Sequence, residues 1–254
     1  FAVKYTWTGN VDSDWDKPGN WQVGGSIASN YPNSLSDDNV EIPGGLTQYP
    51  VINKAGSSLR NVTVNLVDIG AGATLTIKCR STASSLTAQS KIAGKGKIII
   101  TVGTGNRGNI TIHDMEFLGN PKIGLTSGII EYTVKLEADT LINFRTGLEA
   151  KTVSSSLIDD LLVIDTPKAV IGGGCTFMTE DRVKFKNTPG VELDIRGTFT
   201  AQRSVTLPNN ANTNITSSGT VNLAQSFIFS SIKWIASNGT ITAKDNFSVP
   251  NFKQ

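Results

Sequence analysis

The sequence predicts an all-β chain wound as a right-handed parallel β-helix, and three observations carry that expectation. Apolar and polar residues alternate with period two, helical periodicity is nearly absent, and one short phrase recurs along the chain. The alternating strings are Val62-Thr63-Val64-Asn65-Leu66, Thr74-Leu75-Thr76-Ile77, Asn109-Ile110-Thr111-Ile112, Val191-Glu192-Leu193-Asp194-Ile195 and Thr220-Val221-Asn222-Leu223. Each places one face inward and the other toward water. They are β-branched and separated by Gly, Asn, Ser or Pro turns, as short strands require. The best helix candidate, around Leu157 to Leu162, runs into Val163-Ile164, which reads equally well as strand.

The recurring phrase is Gly, a small or polar residue, then apolar-polar-apolar. It occurs at Gly72, Gly108, Gly190, Gly219 and Gly239, with a more apolar version at Gly96. Leaving that version aside, neighbouring copies lie roughly 20–35 residues apart with one longer gap, the range of solenoid repeats. Turns of unequal length suit a solenoid, because loops project sideways from a stacked core. A β-sandwich is the alternative, but it needs only about seven to nine strands, fewer than this chain offers. The expected organisation is an aromatic-rich N-terminal cap over residues 1–52 and a solenoid over 53–254. Stacking also separates the cysteines. If Cys79 and Cys175 lie about four coils apart, strand spacing holds them nearly 20 Å apart, against about 7 Å for a disulfide. Two free, inward-facing thiols are expected.

Composition narrows the function classes. The 254 residues are 38% hydrophobic and 17% charged, with a formal net charge of +2, one His and 25 Gly. A near-neutral balance argues against a nucleic-acid partner, which a basic stripe would mark. No apolar run approaches the roughly 18–20 residues of a helical membrane span, which argues against membrane insertion. Abundant Thr and Asn with low charge fit a secreted bacterial protein, and Phe1 reads as a mature N-terminus or a cloning boundary.

The first segment differs from the rest. Trp7, Trp15 and Trp21, three of the four Trp, fall there with Tyr5, Tyr31 and Tyr49. The order is Tyr5-Thr6-Trp7-Thr8-Gly9, Asp14-Trp15-Asp16, Gly19-Asn20-Trp21, Tyr31-Pro32 and Asp37-Asp38-Asn39-Val40-Glu41-Ile42-Pro43. Tyr49-Pro50-Val51-Ile52, Leu59-Arg60-Asn61-Val62-Thr63-Val64 and Gly72-Ala73-Thr74-Leu75-Thr76-Ile77 follow. This string, covering about the first 80 residues, resembles the start of secreted, surface-displayed repetitive β-proteins of Bacteroidetes bacteria. The resemblance implies an adhesin-like surface component at the cell surface, exported by the type IX secretion system. That system's C-terminal sorting domain is not recognisable in Asp245 to Gln254. Physically, packed Trp and Tyr suit a cap, because a terminal coil otherwise exposes apolar core and unpaired edges. A sugar-stacking platform of exposed aromatic faces is the functional alternative.

Candidate chemistry is sparse. Asp12, Asp14 and Asp16 stand at alternate positions, the spacing with which a calcium loop aims oxygens at one ion, although the rest of an EF-hand is missing. Calcium is the one candidate cofactor. Polysaccharide-cleaving β-helices direct attention to Asp159-Asp160 and His113, but no Gly-His-Gly segment accompanies them, and a surface turn and a solvated strand residue are the expected roles. No catalytic constellation is recognisable, so an enzyme is not expected. Thr-x-Thr strings at Thr74 and Thr198 resemble ice-binding solenoids, yet irregular coil spacing argues against a regular array. Gly172-Gly173-Gly174 reads as a tight corner between coils. Asp139-Thr140-Leu141 matches a short O-glycosylation sequon of Bacteroidetes, which makes Thr140 a candidate modification site.

The function expected is an extracellular structural or adhesive surface protein. Its subunits would self-associate head to tail into a filament by strand addition, through Val3, Tyr5 and Trp7 at one end and Ile241, Phe247 and Val249 at the other. A carbohydrate-binding module or a polysaccharide-active β-helix enzyme is the alternative, and a glycan or surface ligand is the further partner in view.

Overall fold

The computed structural model describes residues 2–33, 37–54, 59–78, 83–102, 108–127, 132–152, 161–180, 182–186, 191–203, 205–207, 212–215, 219–223, 227–228, 233–236, 240–243 and 247–248. Those residues form strands joined by turns, with one short 3-10 turn at Pro18–Asn20. The N-terminal end carries β1 (Lys4–Trp7), β2 (Trp21–Val23), β3 (Ser26–Ile27), β4 (Asn39–Ile42) and β5 (Val51–Ile52). Next come β6 (Asn61–Ile69), β7 (Thr74–Lys78) and β8 (Ser84–Val102), then β9 (Gly108–Leu118), β10 (Lys122–Ser127), β11 (Tyr132–Glu137) and β12 (Leu141–Thr152). The remaining coils are shorter: β13 (Leu161–Asp165), β14 (Lys168–Ile171), β15 (Thr176–Thr179), β16 (Arg182–Phe185), β17 (Glu192–Ile195) and β18 (Thr198–Ala201). They continue through β19 (Val205–Thr206), β20 (Asn212–Ile215), β21 (Thr220–Leu223), β22 (Phe227–Ile228), β23 (Lys233–Ala236), β24 (Thr240–Ala243) and β25 (Phe247–Ser248).

These strands stack into a β-solenoid with three faces. The first face pairs β13, β16, β19, β22 and β25 in parallel, the second β14, β17, β20 and β23, and the third β15, β18, β21 and β24. In the N-terminal half, β4 lies parallel to β6 on the second face and β5 parallel to β7 on the third. β1 in turn lies parallel to β4, so the stack reaches back to Lys4. Long strands bend around corners: β8 follows β6 along the first and second faces and β7 along the third.

One coil runs backward. β9 pairs antiparallel with β8 on one side and β12 on the other, and β10 pairs antiparallel with β8 and β11. The chain thus retraces the third, second and first faces before winding forward again from β11. The period-two pattern is blind to this reversal, because alternation fixes which face a residue occupies and not the direction of its neighbour.

Inward positions form columns along the axis. On the third face Leu75, Ile98, Ile112, Leu148, Phe177, Phe199 and Val221 succeed one another in register, all at most 2% exposed. Phe117, Phe144, Phe177 and Phe199 follow at ring separations of 5.9, 5.3 and 5.0 Å. Such aromatic pairs contribute about 0.5–1.5 kcal/mol each beyond burial. At the corner of β8, Gly94 holds φ +140°, and a Cβ there would meet the Ile69 carbonyl oxygen at 2.1 Å. Only glycine lets the chain bend so close to the coil beneath.

Several expectations meet the structure here. The corner at Gly172 is tight as expected, with the Cys175 N–H donating to the Gly172 carbonyl at 2.9 Å. Cys175 is a buried free thiol, pushed up to about 12 by burial, while Cys79 lies outside the described residues. The helix candidate gives way to strand from Leu161 onward, and its earlier part lies outside the described residues, as do Asp159 and Asp160.

Candidate functional site

The N-terminal end is the most elaborated part of the molecule. Trp7, Trp15 and Trp21 are 0–1% exposed, and Tyr5 is also buried. Trp21 sits at the centre, its ring 4.8 Å from both Trp7 and Trp15, at steep interplanar angles of 79° and 70°. Each indole N–H donates to a backbone carbonyl at 2.8 Å: Trp7 to Gln48, Trp15 to Pro32 and Trp21 to Trp15. These bonds matter because an unpaired buried donor costs about 1–3 kcal/mol. These three indoles therefore offer no exposed face on which a pyranose ring could stack. Tyr31 and Tyr49 are only partly buried against the core.

Beside the indoles, Asn20 is fully buried and uses its whole side-chain hydrogen-bonding capacity. Its Oδ1 accepts the N–H groups of Val11 and Asp12 at 2.8 and 3.0 Å. Its Nδ2 donates to Asp12 Oδ1 and to the Asp14 carbonyl at 2.8 and 2.9 Å. Sequence reasoning missed this hub. Nothing in the spacing of Gly19-Asn20-Trp21 reveals that this amide ties together the backbone of the Val11–Asp14 turn.

Two of the three alternate carboxylates, Asp12 and Asp14, face a lysine. Lys54 places its Nζ 3.5 Å from Asp12 Oδ2 and 3.4 Å from Asp14 Oδ1, supplying the positive charge from the chain itself. Asp16 is half-buried and takes no part in that Lys54 bridge. Among the described residues no group of three or more His, Cys, Asp or Glu is placed to hold a metal ion. Burial pushes the Asp12 carboxyl up, but the Asp14 N–H, the Asn20 amide and the Lys54 ammonium outweigh it and hold the group below the ordinary carboxylate range. Asp38 is the reverse case. It is 2% exposed, its Oδ1 has no hydrogen-bond partner, and burial followed by the adjacent Asp37 pushes its carboxyl up.

The residues expected to meet across subunits occupy different environments. β1 pairs with β4 along Lys4, Tyr5 and Thr6, and its other edge is covered by β2 at Thr6 and Trp7. The Tyr5 and Trp7 side chains belong to the cap core, and Val3 packs partly against it. The outermost strand at this end is the two-residue β3, where Ile27 is 69% exposed. At the other end Ile241 stands in register with Val221 and Phe247 with Phe227. Val249 lies outside the described residues.

Outward columns differ between faces. The second face is charged, with Arg145 bonded to Glu116 at 2.6 Å, Lys168 to Glu192 at 2.8 Å and Arg196 to Asp194 at 2.6 Å. On the third face Thr176, Thr198 and Thr220 align coil on coil, more regularly than the sequence spacing suggested. The neighbouring column mixes Met178, Thr200 and Asn222, so the Thr array is not uniform. His113 is an exposed residue of β9, and Thr140 is exposed at the corner between β11 and β12. No helix among the described residues is long and apolar enough to cross a membrane. Comparison with protein families, with curated proteins and with solved structures finds no match.

Proposed function

We propose that the chain is an extracellular, surface-displayed structural or adhesive protein that works as a stiff spacer. The observation that carries this reading is the stacking of strand on strand from β4 to β25, around one apolar core described as far as Val221. A ladder of main-chain hydrogen bonds along the axis resists bending, and stacked coils extend reach with each repeat. The Bacteroidetes-like N-terminal string and the low charge support an extracellular setting, and exposed Thr140 is the proposed glycosylation site. The short β2–β3 pair blunts the N-terminal edge, a device that limits unwanted strand pairing. Filament growth, if the subunits polymerise, therefore relies on the C-terminal strands meeting the open part of β1 near Lys4 and Tyr5, or β3.

Electron microscopy of native material tests the reading directly. Rods, single or end to end, projecting from the cell surface are expected. An intracellular location, or hydrolysis of polysaccharides by the purified chain, would overturn it. A glycan array separates the carbohydrate-binding alternative, which after burial of the three indoles must use the outward faces. Loss of a glycan mass on Thr140→Ala would support the modification.

A further inference from the structure

We infer that the backward coil, β9 and β10 with the strands that flank it, is the folding nucleus of the solenoid and the last part of it to open. The inference stands apart from the proposed function and does not depend on it.

Elsewhere each coil must make a circuit before it meets its neighbour: Asn222 bonds Thr200 across 22 residues. At the backward coil the circuit is short-cut twice. Only residues 103–107 separate β8 from its antiparallel partner β9, and only 128–131 separate β10 from β11. Closing a short connection costs less chain entropy than closing a circuit, and local contacts form sooner. β9 is paired along both edges, with β8 below across the short connection and with β12 above after a further circuit from Leu118 to Leu141, so its β8 edge is the one that forms locally. Its inward side chains Ile110, Ile112, Met115 and Phe117 are all at most 5% exposed in the folded chain. From Phe117 the aromatic column leads upward through Phe144 to Phe177, and from Ile98 the aliphatic column leads down to Leu75. Once this coil exists, each further coil adds to a finished template on either side, as in other one-dimensional repeat folds.

Two measurements on the full chain test the inference. A ten-residue Gly/Ser insertion between 103 and 107 lengthens the closing loop from five residues to fifteen and should slow refolding about fivefold; the same insertion between 187 and 190 lengthens a full circuit and should slow it less than about twofold. Equal slowing, or greater slowing by the second insertion, would overturn the inference. Native-state hydrogen exchange on the unaltered chain gives a readout that needs no variant to fold. The slowest amides should lie in β8, β9 and β12. Slowest exchange in β1 to β4, or in β17 to β21, would sink it.

Discussion

At the N-terminal end one ring, Trp21, touches Trp7 and Trp15 together, and three indole N–H groups each find a different carbonyl. In the coils beyond Leu161, by contrast, Phe177 and Phe199 repeat one another in register and need no polar partner. The first region is held by contacts made once, the second by a contact made again in every coil. A lost contact in the first has no substitute nearby. A lost contact in the second leaves the coils above and below still paired, and the damage stays local.

Two truncations sharpen that difference. Trp21→Ala should cost about 5 kcal/mol, the top of the range for a fully buried aromatic, because it also empties the space between two other indoles. Phe199→Ala should cost about 3 kcal/mol and raise hydrogen exchange only in adjoining coils. Urea unfolding midpoints compare the two. Equal costs, with exchange rising throughout the chain for Phe199→Ala, would remove the distinction between cap and coil.

Asn20→Ala comes next, at roughly 2–3 kcal/mol. It strands the Asp14 carbonyl and the N–H groups of Val11 and Asp12 at a buried site. Asn20→Asp should do no better, since a carboxylate cannot donate to Asp12 Oδ1 and adds a third negative charge beside Asp12 and Asp14. Rescue of stability by Asn20→Asp would show that the amide donors are not what matters there.

Asp38→Asn should act in the opposite direction, raising stability by about 1 kcal/mol at neutral pH. The folded state raises the Asp38 pKa, so folding favours its protonated form and the charged form destabilises. Acidification from neutral pH should therefore relieve the parent chain more than the Asn variant, and the gap in melting temperature should narrow as pH falls through the folded value. A gap that stays constant with pH would point to packing instead of charge.

Much of this was legible in the residues and some was not, for identifiable reasons. Alternation at Val62–Leu66, Thr74–Ile77 and Val191–Ile195 fixed strand and face, because a single-residue slip would expose every inward side chain. The cap was legible because three of the four Trp and three of the four Tyr fall within residues 1–52. The backward coil was hidden, since Gly108-Asn109-Ile110-Thr111-Ile112 reads the same in either direction of pairing. The role of Lys54 was hidden for a different reason. It stands forty residues from Asp14 in sequence, and only the parallel bridge of Asp14 to Val51 brings the segments together. Carboxylate spacing alone suggested a metal because it shows the acceptors and not the cation already present.

That bridge supplies the smallest expected effect and the most specific one. Asp12 has its pKa held down in the folded state, so it contributes stability that is present above the unfolded value of about 3.9 and is lost as pH falls through the lower folded value. Lys54→Met removes one of the groups that hold it down, while the Asp14 N–H and the Asn20 amide remain. At neutral pH the variant should lose less than about 1 kcal/mol, because the pair is partly open to solvent. Its acid limb should be shallower than the parent's, since less stability rides on Asp12 remaining charged. A chelator should leave the melting temperature of the parent chain unchanged, because the lysine occupies the position a cation would take. A chelator that lowers it would restore calcium to this turn, and the contrast drawn above would then include a metal at the N-terminal end.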